Sequence, residues 1–491
     1  MLNLLKDHLN VAFTENGARA RATTNSKLVD FFSQGGAIRH QNEKYILDMF
    51  RQSFGEDRLS TIKTAFYFRD VRGGQGQRRP FRVQLKYMAD NYPQYVKKLI
   101  PLVPEYGRFD DLFVLIGTQL ESEVLNFIKT TFVNDLKNLQ NSEGVSLAAK
   151  WLPSPNTSSR QTRQLAKKIY TWLGLTEKQY RKSLSSLRKH LNIIERNLSS
   201  KEYNLIDYSK VPSNAMSLYR KSFYRNDITR FENYLSKVEK GEAKINSSVL
   251  YPYQLVEKAY GSNDRVVEEQ WKALPNYCGD VEENSICVVD VSGSMTWSKN
   301  PRPIDVAVSL GLYTAERAKG PYKDHFITFS DNPQMQKLNG RTLHERVRNM
   351  CRADWCGSTN IKSVFRLILD VAVKNNLPQS ELIQKVYIIS DMEFNGAMSG
   401  RPNKTLFQQI AQLYQAHGYE MPFLVFWNVN ARNVQFPMSM DDRGFLNVSG
   451  FSPSIFKNLM SGKFSSPMSL VADVINSERY DAIENALADE K

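Results

Sequence analysis

Along residues 178–199 the apolar side chains Tyr180, Leu184, Leu187, Leu191 and Ile194 recur at steps of four and three. That spacing draws one stripe down an α-helix. Lys182 and Lys189 point away from the stripe, and Arg181 and Arg188 flank it. The segment should bury one face and offer a basic ridge on the other. Residues 45–54 and 125–139 read as amphipathic helices in the same way. Few segments before residue 270 alternate with period two. Breakers fall between the helices: Gly73-Gly74, Pro101, Pro104, Gly107, Pro153 and Pro155. Many short helices with brief connections predict an α-helical array, although no fixed-period repeat emerges.

The pattern changes past residue 280. Short apolar runs at 286–291 (ICVVDV), 324–329 (DHFITF), 386–390 (VYIIS) and 423–427 (FLVFW) predict strands. Residues 304–318, 361–373 and 405–416 between them predict helices. Strands alternating with helices imply right-handed crossovers and a parallel sheet covered on both faces. Ligands in such folds sit at the carboxyl ends of the strands. The expected organisation is a helical part over 1–280, a linker near 274–284, and a doubly wound α/β part over 281–491.

Charge sharpens that division. The 491 residues carry a net charge of +14. Residues 1–280 hold 43 Lys/Arg against 29 Asp/Glu, and residues 281–491 hold 22 of each. Two windows, 58–98 and 151–200, each contain ten basic and two acidic residues. A basic surface of this kind draws in polyanions, nucleic acid above all, although a single run also serves as a solvated face. No apolar run reaches the roughly 18 residues of a membrane helix. The acid-bearing start of the chain does not read as a secretory signal, so a soluble, cytoplasmic protein without membrane contact is expected. Cys278, Cys287, Cys351 and Cys356 suggest free thiols rather than a disulfide scaffold or zinc site.

One motif carries sharp chemistry. The strand at 286–291 runs into Asp290, Ser292 and Ser294, a D-x-S-G-S string whose oxygens a bent strand end can converge. Thr359 precedes a helix, and Asp391 closes the strand VYIIS. Carboxylates, hydroxyls and water suit a hard cation, Mg²⁺ or Mn²⁺. These three segments resemble the metal-ion-dependent adhesion site (MIDAS) of von Willebrand factor A (vWA) domains. That resemblance implies ligation of an acidic partner side chain, hence a possible protein partner through the metal, and no turnover. An enzyme is not expected: the six histidines are scattered, and Glu393 beside Asp391 is the one carboxylate to nominate as a base. Gly73-Gly74-Gln75-Gly76 lacks the Gly-Lys-Ser/Thr ending of a phosphate loop.

Longer strings add a second resemblance. FYFRDVRGGQGQRR (66–79) and PEYGRFDDL (104–112) resemble the TROVE module of telomerase, Ro and vault proteins. AKWLP (149–153), YRKSL (180–184), VPSNAM (211–216), SDMEF (390–394) and SGFSP (449–453) are in the style of a Ro-like family of plants, giant viruses and phages. The resemblance implies a HEAT-like helical ring or arc followed by a vWA domain. It further implies a non-catalytic ribonucleoprotein binding small structured or misfolded RNA and single-stranded 3′ ends. The first RNA-binding candidates are Arg69, Arg72, Arg78, Arg79 and Arg82. The second group is Arg160, Arg163, Lys167, Lys168, Arg181, Lys182, Arg188 and Lys189. Tyr67, Trp151 and Tyr180 are candidates to stack bases, with core burial as the rival role. For Arg69, Asp70 and Arg72 the rival is a buried ion pair. The alternative function is a protein-interaction scaffold, phage-encoded in one version, working through the metal site.

Overall fold

The computed structural model describes residues 9–279, 284–296, 300–329, 332–353, 360–396, 405–459 and 466–490. The helices used below are α1 (Lys27–Gly35), α2 (Arg78–Asn91), α3 (Glu121–Gln140), α4 (Arg160–Trp172), α5 (Glu177–His190), α6 (Pro252–Ala259), α7 (Pro303–Arg317), α8 (Ile361–Lys374) and α9 (Leu406–Ala416). The strands of the large sheet are β1 (Ser285–Val289), β2 (His325–Thr328), β3 (Met335–Lys337), β4 (Lys385–Ser390), β5 (Phe423–Asn428) and β6 (Phe445–Ser449); a separate hairpin pairs Ala12–Phe13 with Arg19–Ala20. A helical region is therefore followed by an α/β region with a mixed sheet.

The chain packs into two compact units. The first comprises residues 1–68, 73–77 and 247–479. The strands of its six-stranded sheet lie in the order β3-β2-β1-β4-β5-β6. All neighbours run parallel except β2 and β3. Ile286, Val288, Val386, Ile388, Leu424 and Phe426 face a core shared with α8 and α9. On the opposite face the rings of Tyr387 and Trp427 meet Phe456 at 5.3 and 5.0 Å. α7 also lies on this face. Gly311 lets it approach: a Cβ there would stand 2.5 Å from Val289 Cγ2. Apolar cover on both faces is why these strands read as continuous hydrophobic runs. The chain leaves β1 toward β2 on one side and reaches β4 on the other. The ends of β1 and β4 thus form the topological switch point where such sheets hold ligands.

The second unit comprises residues 69–72, 78–246 and 480–491 and is helical among its described residues. Ala166 and Ile169 of α4, and Tyr180, Leu184 and Leu187 of α5, turn inward. Tyr180 packs beside Phe132 of α3 at 5.9 Å and donates to Pro153 O at 3.1 Å. Thr176 and Gln179 form a capping box that fixes the start of α5.

These units differ from a division at residue 280. Residues 1–68 and 247–279 pack with the sheet. α1 lies against β6, where a Cβ on Gly36 would clash with Ser449 O. α6 lies against α7. The segment expected as a linker is pinned: Tyr313 donates to Pro275 O at 2.6 Å and accepts from Tyr277 N at 2.8 Å. Conversely, Tyr480 joins the helical unit, donating to Asp70 Oδ2 at 3.2 Å and stacking on Tyr106. Smaller differences are local. The helix expected over 178–199 breaks after His190, where Asn192 turns left-handed (φ 47°) and a short helix resumes at Ile194–Ser200. β3 was not expected because a polar three-residue edge strand has no apolar pattern to show. β6 was not expected because Asn447 interrupts its run.

Candidate cation site and basic surface

Asp290 follows β1 and is fully buried. Its Oδ1 accepts from Ser292 N at 2.9 Å and its Oδ2 from Ser390 Oγ at 2.5 Å. Ser292 Oγ and Ser294 Oγ stand 3.1 Å apart. Asp391 follows β4 and is 2% exposed. Its Oδ1 accepts from Glu393 N at 3.3 Å. Its Oδ2 is buried and has no hydrogen-bond donor among the described residues. That oxygen instead faces Arg432 Nη2 at 3.0 Å, an ion pair without hydrogen-bond alignment.

Burial, reinforced by the charge of Asp290, pushes the Asp391 carboxyl up to about 7. Burial pushes Asp290 up as well. Two acids that resist ionising together present the demand a cation answers. Asp290, Ser292, Ser294 and Asp391 therefore fit a hard divalent ion: two hydroxyls and two carboxylates, one of which has an orphaned buried oxygen. Among the described residues no group of three or more His, Cys, Asp or Glu side chains could hold a metal, so hydroxyls must complete any set. The expected fifth ligand, Thr359, lies outside the described residues. A bound ion would supply a Lewis-acidic point for an acidic partner group. Glu393 is not free to act as a base: its Oε2 accepts from Glu15 N at 2.7 Å and its Oε1 from Asn433 Nδ2 at 2.9 Å. Sequence reading missed Arg432. The one available signal was its place just past β5, at the same end of the sheet as Asp290 and Asp391.

The first group of basic candidates is largely engaged within the protein. Arg69 is 2% exposed and binds Asp111 through Nε and Nη2 at 2.8 and 2.7 Å. Arg78 pairs with Asp110, and Arg82 with Asp110 and Asp111 at 3.1 and 2.6 Å. Arg108 also binds Asp110 and lies over the Trp151 ring at 3.7 Å. Burial works against the Asp110 charge, but the Arg108 hydrogen bond and the charges of Arg108, Arg78 and Arg82 hold its carboxyl below the usual range. Arg72 is exposed and donates to Glu105 O at 2.8 Å, and Arg79 is exposed.

The second group is different. Residues 160–190, spanning α4 and α5, hold nine Lys/Arg and one acid, Glu177. Arg160, Arg163, Lys167, Lys168, Arg181, Lys182 and Lys189 are exposed, and so is Lys178, which the sequence reading passed over. Arg163 is tied to Thr157 O and Ser158 O, Lys168 to Glu121, and Arg181 to Glu177 at 3.9 Å. Arg160, Lys167, Lys178, Lys182 and Lys189 make no ion pair among the described residues. Arg188 serves the interior, donating to Ala149 O, Leu152 O and Ser154 Oγ, each at 2.8 Å. Tyr67 and Tyr180 are buried, so of the three aromatics only Trp151 keeps surface. The helical unit holds 32 Lys/Arg against 21 Asp/Glu, a net +11, while the sheet unit carries +3.

Similarity to other proteins follows the sequence rather than the packing boundary. The family described as Domain of unknown function (DUF2828) matches residues 14–106 and 120–278. The family described as Domain of unknown function (DUF7788) matches residues 284–488. The uncharacterized protein L728 of Acanthamoeba polyphaga mimivirus is 31% identical, covering 98% of this chain and 91% of that protein. Among solved structures, the Ro (RSR) protein of Deinococcus radiodurans aligns with a TM-score of 0.47 and 15% identity. That alignment covers 93% of this chain and 100% of the Deinococcus chain, but is too distant to carry an argument. With its first part matched almost throughout and a viral relative aligned nearly end to end, the chain belongs to the DUF2828 family.

Proposed function

We propose that this is a non-catalytic, Ro-like RNA-binding protein whose α4–α5 hairpin grips the phosphate backbone. The observation that carries the reading is the hairpin itself: nine basic residues against one acid, with five exposed cations that pair with no carboxylate among the described residues. An excess charge left facing solvent attracts polyanions and steers their approach. The TROVE-like strings at 66–79 and 104–112 favour RNA among polyanions. In this reading the helical region is a HEAT-like array and the sheet unit an A-type domain whose Asp290, Ser292, Ser294 and Asp391 bind Mg²⁺ or Mn²⁺. No residue turns over a substrate, and the protein works in the cytoplasm.

Filter binding of nucleic-acid-free protein to a single-stranded oligoribonucleotide tests the reading. Log affinity should fall linearly with log salt, at about 0.7 per phosphate contact. Negligible binding at low salt sinks it. The second reading, a scaffold holding an acidic partner residue through the metal, is favoured by the orphaned Asp391 Oδ2. It requires partner capture that chelator abolishes while RNA affinity stays unchanged.

A further inference from the structure

Arg432 brings a positive charge to the place where the carboxylate pair asks for one. Its Nη2 stands 3.0 Å from Asp391 Oδ2, and its Nη1 stands 2.9 Å from Glu15 Oε2. Its Nε and Nη2 are buried without a hydrogen-bond acceptor among the described residues. A guanidinium holding a carboxylate permanently would align its fork with both oxygens. Here the contact to Asp391 is electrostatic only, so that arm has little geometry to lose by moving away.

The second carboxylate is built into a clamp. Glu15 Oε1 accepts from Asn433 Nδ2 at 2.9 Å, and Glu15 N donates to Glu393 Oε2 at 2.7 Å. Thr14 Oγ1 and Asn16 Nδ2 bind Phe394 O and Glu393 O, each at 2.6 Å. Residues 14–17 are thereby fastened to the turn that follows Asp391. Arg432 thus spans two acids. One belongs to the candidate metal site, and the other sits on a segment held to the turn after Asp391 by hydrogen bonds that do not involve Arg432.

We propose that Arg432 is the protein's own counter-ion for the metal site: it holds Asp391 when the site is empty of metal and is handed over to Glu15 when a divalent cation binds. This deepens the metal reading given above and rests on it. Arg432 is a positioning residue that sets how tightly the cation is held. Two positive ions sharing Asp391 would repel strongly in a site this buried, so one must yield. The arrangement weakens the site for metal and makes its affinity depend on Glu15.

The test is calorimetric titration of the full chain with Mg²⁺ and with Mn²⁺, using wild type, Arg432→Gln, Glu15→Gln and Asp290→Ala. Arg432→Gln should tighten metal binding by roughly tenfold or more, because the competing charge is gone. Glu15→Gln should weaken it, because the guanidinium then has Asp391 alone. Opposite shifts are not what two merely structural residues would give. In melting experiments, metal should raise the Tm of Arg432→Gln more than that of wild type, since the variant leaves Asp391 without the Arg432 counter-charge until metal arrives. Unchanged or weaker binding by Arg432→Gln overturns the proposal. So does tighter or unchanged binding by Glu15→Gln. If Asp290→Ala binds metal like wild type, the metal reading itself fails, and this proposal with it.

Discussion

Arg69 and Asp111 form an interior ion pair, with side chains 2% and 0% exposed and Nη2 to Oδ2 at 2.7 Å. The carboxylate also receives Arg108 N at 2.9 Å and Arg82 Nε at 2.6 Å. Gly107 makes room for it: a Cβ there would meet Asp111 Oδ2 at 2.5 Å. Asp111→Ala should therefore leave a guanidinium buried alone and cost about 3–5 kcal/mol. Urea unfolding followed by circular dichroism measures this. A loss below 1 kcal/mol would show that the pair is not what orders these helices.

The same cluster sets an acid limit. Because Asp110 is held below its unfolded value, its stabilisation is complete above about pH 4 and is lost as pH falls through the folded value. Asp110→Asn should flatten the stability profile below about pH 4. Melting temperatures at successive pH values, wild type against variant, check the sign.

Metal binding should carry a pH signature of the same sign, displaced to higher pH. The raised Asp391 must give up its proton to become a ligand, so Mg²⁺ affinity should climb between about pH 5 and 8 with proton release. Asp290→Ala and Asp391→Ala should abolish the binding heat while far-ultraviolet circular dichroism stays native. Pairing each titration with two buffers of different ionisation heat counts the protons released.

Charge reversal separates surface from interior on the basic hairpin. Replacing Lys167, Lys182 and Lys189 with glutamate should weaken RNA binding alike for all sequences. It should also reduce the salt slope by about 2, three contacts' worth. The melting temperature should hardly move. Arg188→Ala should do the reverse, lowering stability, because three acceptors lose their donor. Fluorescence anisotropy with a labelled RNA, beside thermal melting, distinguishes the two classes.

Thiol chemistry offers a check on the sheet core. Burial pushes the thiols of Cys278 and Cys287 up to about 12, so both stay protonated at pH 8. Peptide mapping after brief alkylation of native protein should find both unmodified. Rapid labelling of Cys287 would contradict its place in β1, inside the sheet.

The legible parts of this chain were those whose burial repeats along the sequence. β1, β2, β4 and β5 are apolar because helices cover both sheet faces, and Asp290 and Asp391 stand out because each ends such a run. The stripe of α5 was legible for the same reason, and Lys182 and Lys189 fell on its exposed side as expected. Periodicity says nothing about which carboxylate a given arginine meets. Arg78 and Arg82 read as surface charge, and for Arg69 the buried pair stood only as a rival role; the partners, Asp110 and Asp111, lie some thirty to forty residues further along the chain. Arg432 was invisible because its partners Glu15 and Asp391 come from distant parts of the chain.

The way both units are assembled from separated segments has a consequence for biosynthesis. α1 is made early, but β6, against which it rests, emerges hundreds of residues later. The helical unit likewise lacks Tyr480 until more than two hundred residues after its residue 246 have been made. Neither can complete its packing before those distant segments emerge, so apolar surface on Phe31, Phe32 and Tyr106 must wait exposed or shielded by other factors. A nascent chain stalled before residue 445 should therefore be a strong substrate for ribosome-associated chaperones.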